Sequence, residues 1–223
     1  MRHVLWRIFL FLEYNDSMDL YRLFETTLNI DYTHVENSGD YAIMLDGETL
    51  YIFLECSNGN EDWKNNLDFP IKFNLRNDDI HFRCHRGFLR VWESIKKHVK
   101  PHIMDTGVKK IIISGYSHGA GIAVLCYEFA YHYRHDLRGS IKGYGFGCPR
   151  VIWGRNARKI AHRWGDFYVI RNYNDLITHL PPAVFGYFHV GKRVDIGVKG
   201  KYNMIDAHRP ENYLIELKNS KLF

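Results

Sequence analysis

The sequence predicts an α/β fold with a largely parallel central β-sheet and helices on both faces of the sheet. The main observation is that short strand-like runs alternate with helix-like runs after an N-terminal hairpin, an order that is typical of parallel sheets. A second observation is the run at 111–113, which is β-branched and bounded by polar residues, as a buried strand is. A glycine-containing turn and an apolar helical run at 120–130 follow it.

Length and composition predict one globular domain that spans residues 1–223. Hydrophobic residues make up 46% of the chain and aromatic residues 15%, which excludes a disordered protein. The formal net charge is +5, but the basic residues are scattered, so we expect no nucleic-acid partner. We also expect no transmembrane segment, because no apolar run is long enough to span a bilayer.

The individual elements follow from periodicity and turn signals. Strands are predicted at residues 41–45, 49–54, 80–84, 111–113, 141–146 and 167–170. Helices are predicted at residues 16–29, 87–98, 120–130, 153–164 and 211–218. The turn at 46–47 predicts a hairpin, and a second hairpin is predicted over residues 188–198 around Gly191. Pro101 is expected to end or kink the second helix.

The stretch from Gly115 to Gly119 reads Gly-Tyr-Ser-His-Gly, a G-x-S-x-G pattern with Ser117 at its centre. Its place between a strand and a helix predicts a nucleophile elbow, a sharp turn that raises the serine above the sheet. Glycine on either side lets the strand and the helix approach each other. The start of the following helix would offer backbone N–H groups and a positive dipole end to an oxyanion. The alternative is a glycine-rich turn with an incidental serine.

A hydrolytic serine requires a base and an acid that orients the base, and in this kind of fold both follow the serine in the chain. Asp175 lies in a turn-rich loop after the strand at 167–170, which is where the acid is expected. Asp166 lies before that strand, at its opposite end, and Asp195 lies inside a strand-like run. The position in the chain therefore favours Asp175 as the acid.

Three histidines follow this aspartate: His179, His189 and His208. His179 is too close to Asp175 to lie on an independent loop, and His189 lies inside the run predicted as a hairpin. His208 follows the last strand and precedes the last helix, so its position favours it as the base. Taken singly, each histidine is more often a surface or capping residue, since most histidines take no part in chemistry.

Seven segments of the chain each carry a recognisable sequence motif. They are residues 51–57 with 62–63, 85–88, 115–119, 144–151, 174–182, 188–191, and 206–208 with 213. Each segment resembles one motif of a single protein family, and the motifs occur in the same order. The first is a strand with an R-G-T/S turn followed by D-W, and the second is H-x-G-F. The remaining five are the G-x-S-x-G elbow, F-G-x-P-R-V, N-D-x-V-P-x-L-P-P, H-x-G and D-H-x-x-Y. Over residues 40–215 the chain is therefore similar to the class 3 (fungal-type) lipases of the α/β-hydrolase superfamily. The resemblance implies an α/β-hydrolase fold with a central, mostly parallel sheet.

The resemblance also implies roles for individual residues. Ser117 would be the nucleophile, Asp175 the acid and His208 the base. The backbone N–H groups of His118 and Ser57 would form the oxyanion hole, and the Ser57 hydroxyl would add a further hydrogen bond. Each such donor typically supplies about 3 kcal/mol of transition-state stabilisation.

The chain departs from the family pattern beside these residues. Cys56 stands where the family usually has glycine, and Glu55 where it often has arginine. Ala207 is an extra residue in the base motif, and His118 replaces an apolar residue after the nucleophile. A side chain at position 56 is expected to narrow the pocket or shift Ser57. That bears on rate and acyl-chain size more than on the type of reaction.

In the family, the segment after the oxyanion turn forms a mobile amphipathic lid that opens at lipid interfaces. Residues 58–69 take that place here, and Trp63 and Leu67 are four residues apart, so one helical face would carry both. These two residues make the segment a lid candidate. A polar surface helix whose Trp63 packs on the core remains the alternative.

These observations predict a serine hydrolase of carboxylic esters, in the first place a triacylglycerol lipase or esterase that forms an acyl-enzyme. No metal and no diffusible cofactor are implied. The expected partner is a lipid or other ester substrate, at a lipid–water interface if the lid exists, and the oligomeric state stays open. Two alternatives also stay open. One is a phospholipase A1 or galactolipase, which the mild basic charge favours, and the other is a catalytically inactive lipase-like binding module.

Two features of the sequence bear on the location of the protein, the cysteines and the N-terminal run. The cysteines are widely spaced and form no C-x-x-C pair, so free thiols and a reducing compartment are expected for Cys56, Cys84, Cys126 and Cys148. The apolar run at 1–12 is short, is interrupted by Arg7 and precedes no small-residue cleavage site, so no cleaved signal is predicted. Both features favour the cytoplasm, while secretion stays open because family members are often secreted.

Overall fold

The computed structural model describes residues 13–14, 17–35, 39–55 and 82–220. Its strands are β1 (Glu13–Tyr14), β2 (Ser17–Met18), β3 (Thr33–His34), β4 (Asp40–Asp46), β5 (Thr49–Glu55), β6 (Arg83–Cys84), β7 (Lys110–Tyr116), β8 (Ile141–Phe146), β9 (Ile152–Trp153), β10 (Phe167–Asn172), β11 (Tyr187–Phe188) and β12 (Lys192–Ile196). Its α-helices are α1 (Leu20–Asn29), α2 (Arg86–Ile103), α3 (His118–Tyr133), α4 (Arg155–Lys159) and α5 (Pro210–Asn219).

Some of the sequence-based predictions concern residues outside the described ranges. They are the predictions for the N-terminal run at 1–12, for the turn with Cys56 and Ser57, and for the lid candidate with Trp63 and Leu67. Within the described ranges, no helix combines the length and the apolar composition that a membrane span requires.

A seven-stranded sheet organises the fold, with the strands in the order β12-β10-β8-β7-β5-β4-β3. Neighbouring strands from β12 to β5 are parallel, while β4 and β3 extend the sheet in antiparallel orientation at one edge. The predicted turn at 46–47 joins β4 to β5, and Asp46 pairs with Thr49. A smaller sheet has the order β11-β9-β6. The mostly parallel central sheet predicted from the sequence is confirmed.

The side chains of the central strands alternate between two cores, one on each face of the sheet. In β7, Ile111 and Ile113 belong to the core that contains Trp92 of α2 and residues of α3. Ile112 belongs to the core that contains residues of α1 and Tyr213 of α5. Because alternate residues of a strand share a face, helices cover both faces, as the sequence predicts.

Helix α1 begins later than predicted. Residues 17–18 pair with residues 13–14 in the β1–β2 ribbon, so they are extended rather than helical. Asp19 is the N-cap instead, and its carboxylate accepts a hydrogen bond of 3.0 Å from the backbone N–H of Arg22. An aspartate in this position satisfies one of the free N–H groups at the start of a helix.

Helix α2 is longer than predicted and is not ended by Pro101. It continues to Ile103, although proline removes one backbone hydrogen bond from a helix. Val99 and Ile103 flank the proline and are both fully buried. The burial of these side chains offsets the lost hydrogen bond, because each contributes about 1.5–3 kcal/mol.

The single helix predicted at 153–164 is wrong. Trp153 belongs to β9, which pairs with β6 on one side and with β11 on the other. Gly154 follows with φ of 88°, a left-handed conformation that ends the strand and that glycine adopts easily. The short helix α4 and a 3₁₀ turn at Ala161–Trp164 take up the rest of the segment.

The hairpin predicted over 188–198 is also wrong, because its two arms belong to different sheets. Strand β11 pairs antiparallel with β9, whereas β12 runs parallel to β10. Gly191 lies between the two arms with φ of 81°, and a Cβ atom there would lie 2.2 Å from the carbonyl oxygen of Phe167. The glycine therefore permits a close crossing between sheets rather than a two-residue turn.

Arg134 joins the end of α2 to the segment that leads into β7 and is expected to be important for stability. Its guanidinium is buried and donates to the carbonyl oxygens of Ile103 at 2.7 Å, Asp105 at 2.9 Å and Val108 at 2.9 Å. Arg134→Met should lower the free energy of unfolding by about 3 kcal/mol, because these carbonyl groups lose a charged donor.

Urea unfolding followed by circular dichroism measures this loss. Arg138→Met is the matched control, because Arg138 is exposed and makes one backbone contact, to Tyr131 at 3.2 Å. The control should change the free energy of unfolding by no more than about 0.5 kcal/mol. Equal unfolding midpoints for the two variants would contradict the prediction.

Candidate active site

Ser117 lies in the sharp turn between β7 and α3. Its backbone has φ of 54° and ψ of −118°, and among the described residues it is the non-glycine residue with positive φ. A conformation of this kind costs about 1–3 kcal/mol and persists only where the surrounding structure holds it. Here the Ser117 N–H donates to the carbonyl oxygen of Phe146 in β8 at 2.9 Å. The geometry is that of the elbow predicted from the sequence.

The two glycines of the pentapeptide allow the tight packing around this turn. A Cβ atom on Gly115 would lie 2.4 Å from the carbonyl oxygen of Gly119, and a Cβ atom on Gly119 would lie 2.0 Å from that of Leu54. Both distances are far below van der Waals contact with backbone atoms that cannot move aside. Helix α3 therefore starts against the ends of β7 and β5, and only glycine fits at either position.

Ser117 and His208 are in direct contact although they are 91 residues apart in the chain. His208 lies at the end of a short 3₁₀ turn, Asp206–His208, that precedes α5. Its Nε2 atom is 2.8 Å from the Ser117 Oγ atom, and its Nδ1 atom is 2.8 Å from the Asp175 Oδ2 atom. Because a carboxylate can only accept, Nδ1 carries the proton in the neutral ring, and Nε2 accepts the hydrogen bond of the serine hydroxyl.

Asp175 follows β10 at the carboxyl edge of the sheet, and its side chain is fully buried. Three donors surround the carboxylate. The backbone N–H of Ile177 donates to Oδ1 at 2.8 Å, while the Tyr213 hydroxyl at 2.6 Å and His208 Nδ1 at 2.8 Å both bind Oδ2. These hydrogen bonds stabilise a charge that would otherwise be costly to bury.

The last residue of β10 ties this loop to the segment that carries His208. The side-chain amide of Asn172 donates to the carbonyl oxygen of Ala207 at 3.0 Å. Its backbone N–H donates to the Tyr213 hydroxyl at 3.1 Å, so that hydroxyl accepts from Asn172 and donates to Asp175. Burial and the charge of Asp175 raise the pKa of Tyr213 far above its ordinary value, so the hydroxyl stays protonated.

Tyr116 and Tyr213 contact the array of Ser117, His208 and Asp175, and the sequence patterns assign neither of them a role. Tyr213 is the tyrosine of the D-A-H motif region, and Tyr116 is the variable residue before Ser117. The Tyr116 hydroxyl donates to the backbone carbonyl oxygen of His208. The sequence carries a signal for Tyr213, because this residue follows His208 by about one turn of helix and so lies near it. It carries no such signal for Tyr116.

His118 is the first residue of α3, so its backbone N–H is among those that lack an acceptor within the helix. Its ring packs on Phe88 at a centroid distance of 4.7 Å. Burial, together with the charge of nearby His85, lowers the pKa of His118 to about 4. The ring is therefore neutral at pH 7. The position next to Ser117 is the one that an oxyanion donor requires.

The remaining acid and base candidates lie apart from Ser117 and are held by other partners. His189 Nε2 is 2.7 Å from the carbonyl oxygen of Thr178, and burial lowers its pKa to about 4. His179 offers its carbonyl oxygen to the guanidinium of Arg150. The two aspartates not favoured by the sequence pair with basic side chains, Asp166 with Lys192 and Asp195 with Arg171.

The remaining sequence-based predictions concern the oxyanion turn, the lid candidate, a metal site and the cysteines. Ser57, Cys56 and the lid candidate lie in the segment 56–81, which the structure does not describe. In the described part of the chain, no group of three or more His, Cys, Asp or Glu residues could hold a metal ion. Free, buried thiols are confirmed for the described cysteines, which are Cys84, Cys126 and Cys148.

Comparison with known proteins places the chain in a family. The family model described as Lipase (class 3) matches residues 51–185, which is more than half of the sequence. The lipase of Rhizomucor miehei is 26% identical over 151 residues, which cover 65% of this chain and 41% of that protein. The secreted mono- and diacylglycerol lipase 1 of Fusarium solani is 27% identical over 136 residues, covering 57% of this chain and 38% of that protein.

The alignments thus span about two fifths of these curated relatives. A solved structure of the Rhizomucor miehei triacylglyceride lipase superposes with a TM-score of 0.62 at 21% identity, over 75% of this chain and 65% of that one. This likeness shows the α/β-hydrolase fold, in agreement with the mostly parallel sheet and the helices on its two faces. Fold and family match agree, and the chain belongs to the class 3 lipase family.

Proposed function

We propose that the protein is a serine hydrolase of carboxylic esters that acts on acylglycerols through a triad of Ser117, His208 and Asp175. The observation that carries the proposal is the continuous hydrogen-bond chain from the Ser117 hydroxyl through both ring nitrogens of His208 to the buried Asp175. A nucleophile, a base and an acid within hydrogen-bond reach of one another are the signature of an activated serine.

In the proposed mechanism, His208 Nε2 takes the proton of Ser117 as Oγ attacks the ester carbonyl carbon. The new Oγ–C bond forms while the carbonyl π electrons become an oxyanion. Asp175 holds the ring in the tautomer with Nδ1 protonated and stabilises the imidazolium. The C–O bond to the alcohol then breaks, and the alcohol leaves with the proton from Nε2. Water hydrolyses the acyl-enzyme by the same steps.

The oxyanion would be bound by two backbone N–H groups, those of His118 and Ser57. The place of His118 at the start of α3 supports the first, because the helix dipole and free N–H groups favour negative charge there. The second rests on the resemblance of the segment 51–57 to the oxyanion turn of the family. Cys56 in that turn is expected to limit the size of the acyl group.

Names of relatives support the choice of substrate and of compartment. One relative is named a lipase and another a secreted mono- and diacylglycerol lipase. We therefore include acylglycerols and secretion in the proposal, and the comparisons lend no support to a cytoplasmic location. The intact hydrogen-bond chain argues against a catalytically inactive binding module, since such a module would not need to keep the three side chains in contact.

Ser117→Ala should abolish ester hydrolysis without changing the fold, because the variant lacks the attacking oxygen. A fluorophosphonate probe should label the wild type at Ser117 and leave the variant unlabelled, since only an activated serine reacts with it. Turnover of p-nitrophenyl butyrate and intact-mass spectrometry measure the two effects. Near-wild-type turnover in Ser117→Ala, with an unchanged circular dichroism spectrum, would refute the proposed nucleophile.

His208→Ala and His189→Ala form a matched pair that tests the base. Each removes one largely buried histidine, but only His208 contacts Ser117. His208→Ala should lower kcat by about 10⁴-fold or more, because members of a triad act as a unit. His189→Ala should leave kcat per folded molecule within a fewfold of the wild type. A reversed pattern in steady-state assays would mean that the base is His189.

Release of fatty acid should separate a neutral-lipid enzyme from a phospholipase. Dispersions of dioleoylglycerol should be hydrolysed in a Ser117-dependent manner at low salt and at about 1 M NaCl alike, because a neutral substrate needs no attraction by the +5 net charge. Vesicles of phosphatidylglycerol serve as the comparison. A faster rate on these vesicles that is lost at high salt would favour the phospholipase A1 alternative.

A further inference from the structure

Tyr116, the residue immediately before Ser117, contacts His208 in two ways. Its ring stacks on the imidazole with a centroid distance of 5.0 Å and an interplanar angle of 19°. Its hydroxyl donates to the backbone carbonyl oxygen of the same histidine. One side chain therefore restrains both the ring plane of His208 and the turn of backbone that carries it.

These two contacts differ from the hydrogen bonds of the triad, because no step of the proposed reaction requires them to break. The bond from Ser117 to His208 Nε2 is lost when the serine attacks, and the proton on Nε2 then passes to the leaving alcohol. The stack against Tyr116 involves the ring face of His208 and the second contact involves its backbone, so neither uses an atom that gains or loses a proton. The face of an aromatic ring also attracts a cation, which favours the imidazolium formed in the transition state.

Tyr116 is itself held in place by other aromatic rings. Phe24 of α1 packs edge to face against it at 5.4 Å and 71°, and Tyr213 of α5 does so at 5.9 Å and 69°. Burial and the negative charges of Asp175 and Glu211 raise the pKa of Tyr116 well above its ordinary value. The hydroxyl is consequently a permanent donor, and the ring has little freedom to move away from His208.

We propose that Tyr116 is a positioning residue that clamps the general base, through the stack on the His208 ring and the hydrogen bond to the His208 carbonyl. This inference rests on the proposed function, since it assigns a role within the same triad. In this proposal, Tyr116 orients the base and also forms part of the elbow between Gly115 and Ser117. The strand that presents the nucleophile also orients the base.

Two substitutions separate the contributions of the ring and the hydroxyl. Tyr116→Phe keeps the stack and loses the hydrogen bond, and should lower kcat by about tenfold. Tyr116→Leu loses both and should lower kcat by about a hundredfold. KM for p-nitrophenyl butyrate should stay within about twofold of the wild type in both cases, because Tyr116 holds the base and not the substrate.

The rates are to be divided by the number of active sites, counted by fluorophosphonate labelling taken to completion. A purely structural role would lower the number of sites or the melting temperature and leave kcat per site unchanged. Tyr32→Phe is the matched control, because the hydroxyl of Tyr32 also donates to a backbone carbonyl oxygen, that of Thr27 at 2.7 Å, and its contacts do not include the triad. Its kcat per site should equal that of the wild type.

The outcomes distinguish this inference from the proposed function. Wild-type kcat per site in Tyr116→Leu would overturn the clamp and leave the serine hydrolase intact. A loss in Tyr116→Leu no larger than in Tyr116→Phe would overturn the part played by the ring. If Tyr116→Leu does not fold, the kcat per site of Tyr116→Phe decides, and a value equal to the wild type would overturn the clamp. A wild type without Ser117-dependent turnover would instead overturn the proposed function.

Discussion

A carboxylate buried at the end of β10 has to be stabilised by hydrogen bonds, and separate parts of the chain supply them. Asp175 accepts from the N–H of Ile177 in its own loop, from His208 and from Tyr213 in helix α5. Removing any of these donors would leave part of a fully buried carboxylate without a hydrogen-bond partner. The hydrogen bonds that satisfy this buried carboxylate therefore also tie α5 and the His208 turn to the sheet.

The second constraint is steric, and it acts at Ser117, at the opposite end of the hydrogen-bond chain from Asp175. Ser117 has a positive φ in the turn where α3 begins in contact with β5 and β7. The packing there leaves no room for a side chain at position 115 or 119, so both residues are glycine. Strain at the serine and burial of the carboxylate thus have different origins. His208 bridges the two, and its 2.8 Å contacts on either side require both loops to be held accurately.

Local patterns predicted those features that depend on local interactions. The β-branched runs and the turn at 46–47 indicated the parallel sheet, and the G-x-S-x-G pattern indicated the sharp turn at Ser117. Chain order singled out Asp175 and His208, which lie in one hydrogen-bond chain with Ser117. The patterns did not predict where the chain changes sheet, because the crossing at Gly191 depends on an approach to Phe167 that no neighbouring residue signals. Tyr116 was missed for the same reason, since its partner lies 92 residues away.

The distance between Ser117 and His208 along the chain has a consequence for biosynthesis. On the ribosome, the strand that presents the serine is made 91 residues before the histidine that contacts it, and Tyr213 follows later still. A nascent chain can therefore form the elbow and much of the sheet while its serine remains an ordinary alcohol. Under the proposed function, Ser117 has its base only after His208 has been synthesised and the segment that carries it has docked on the sheet.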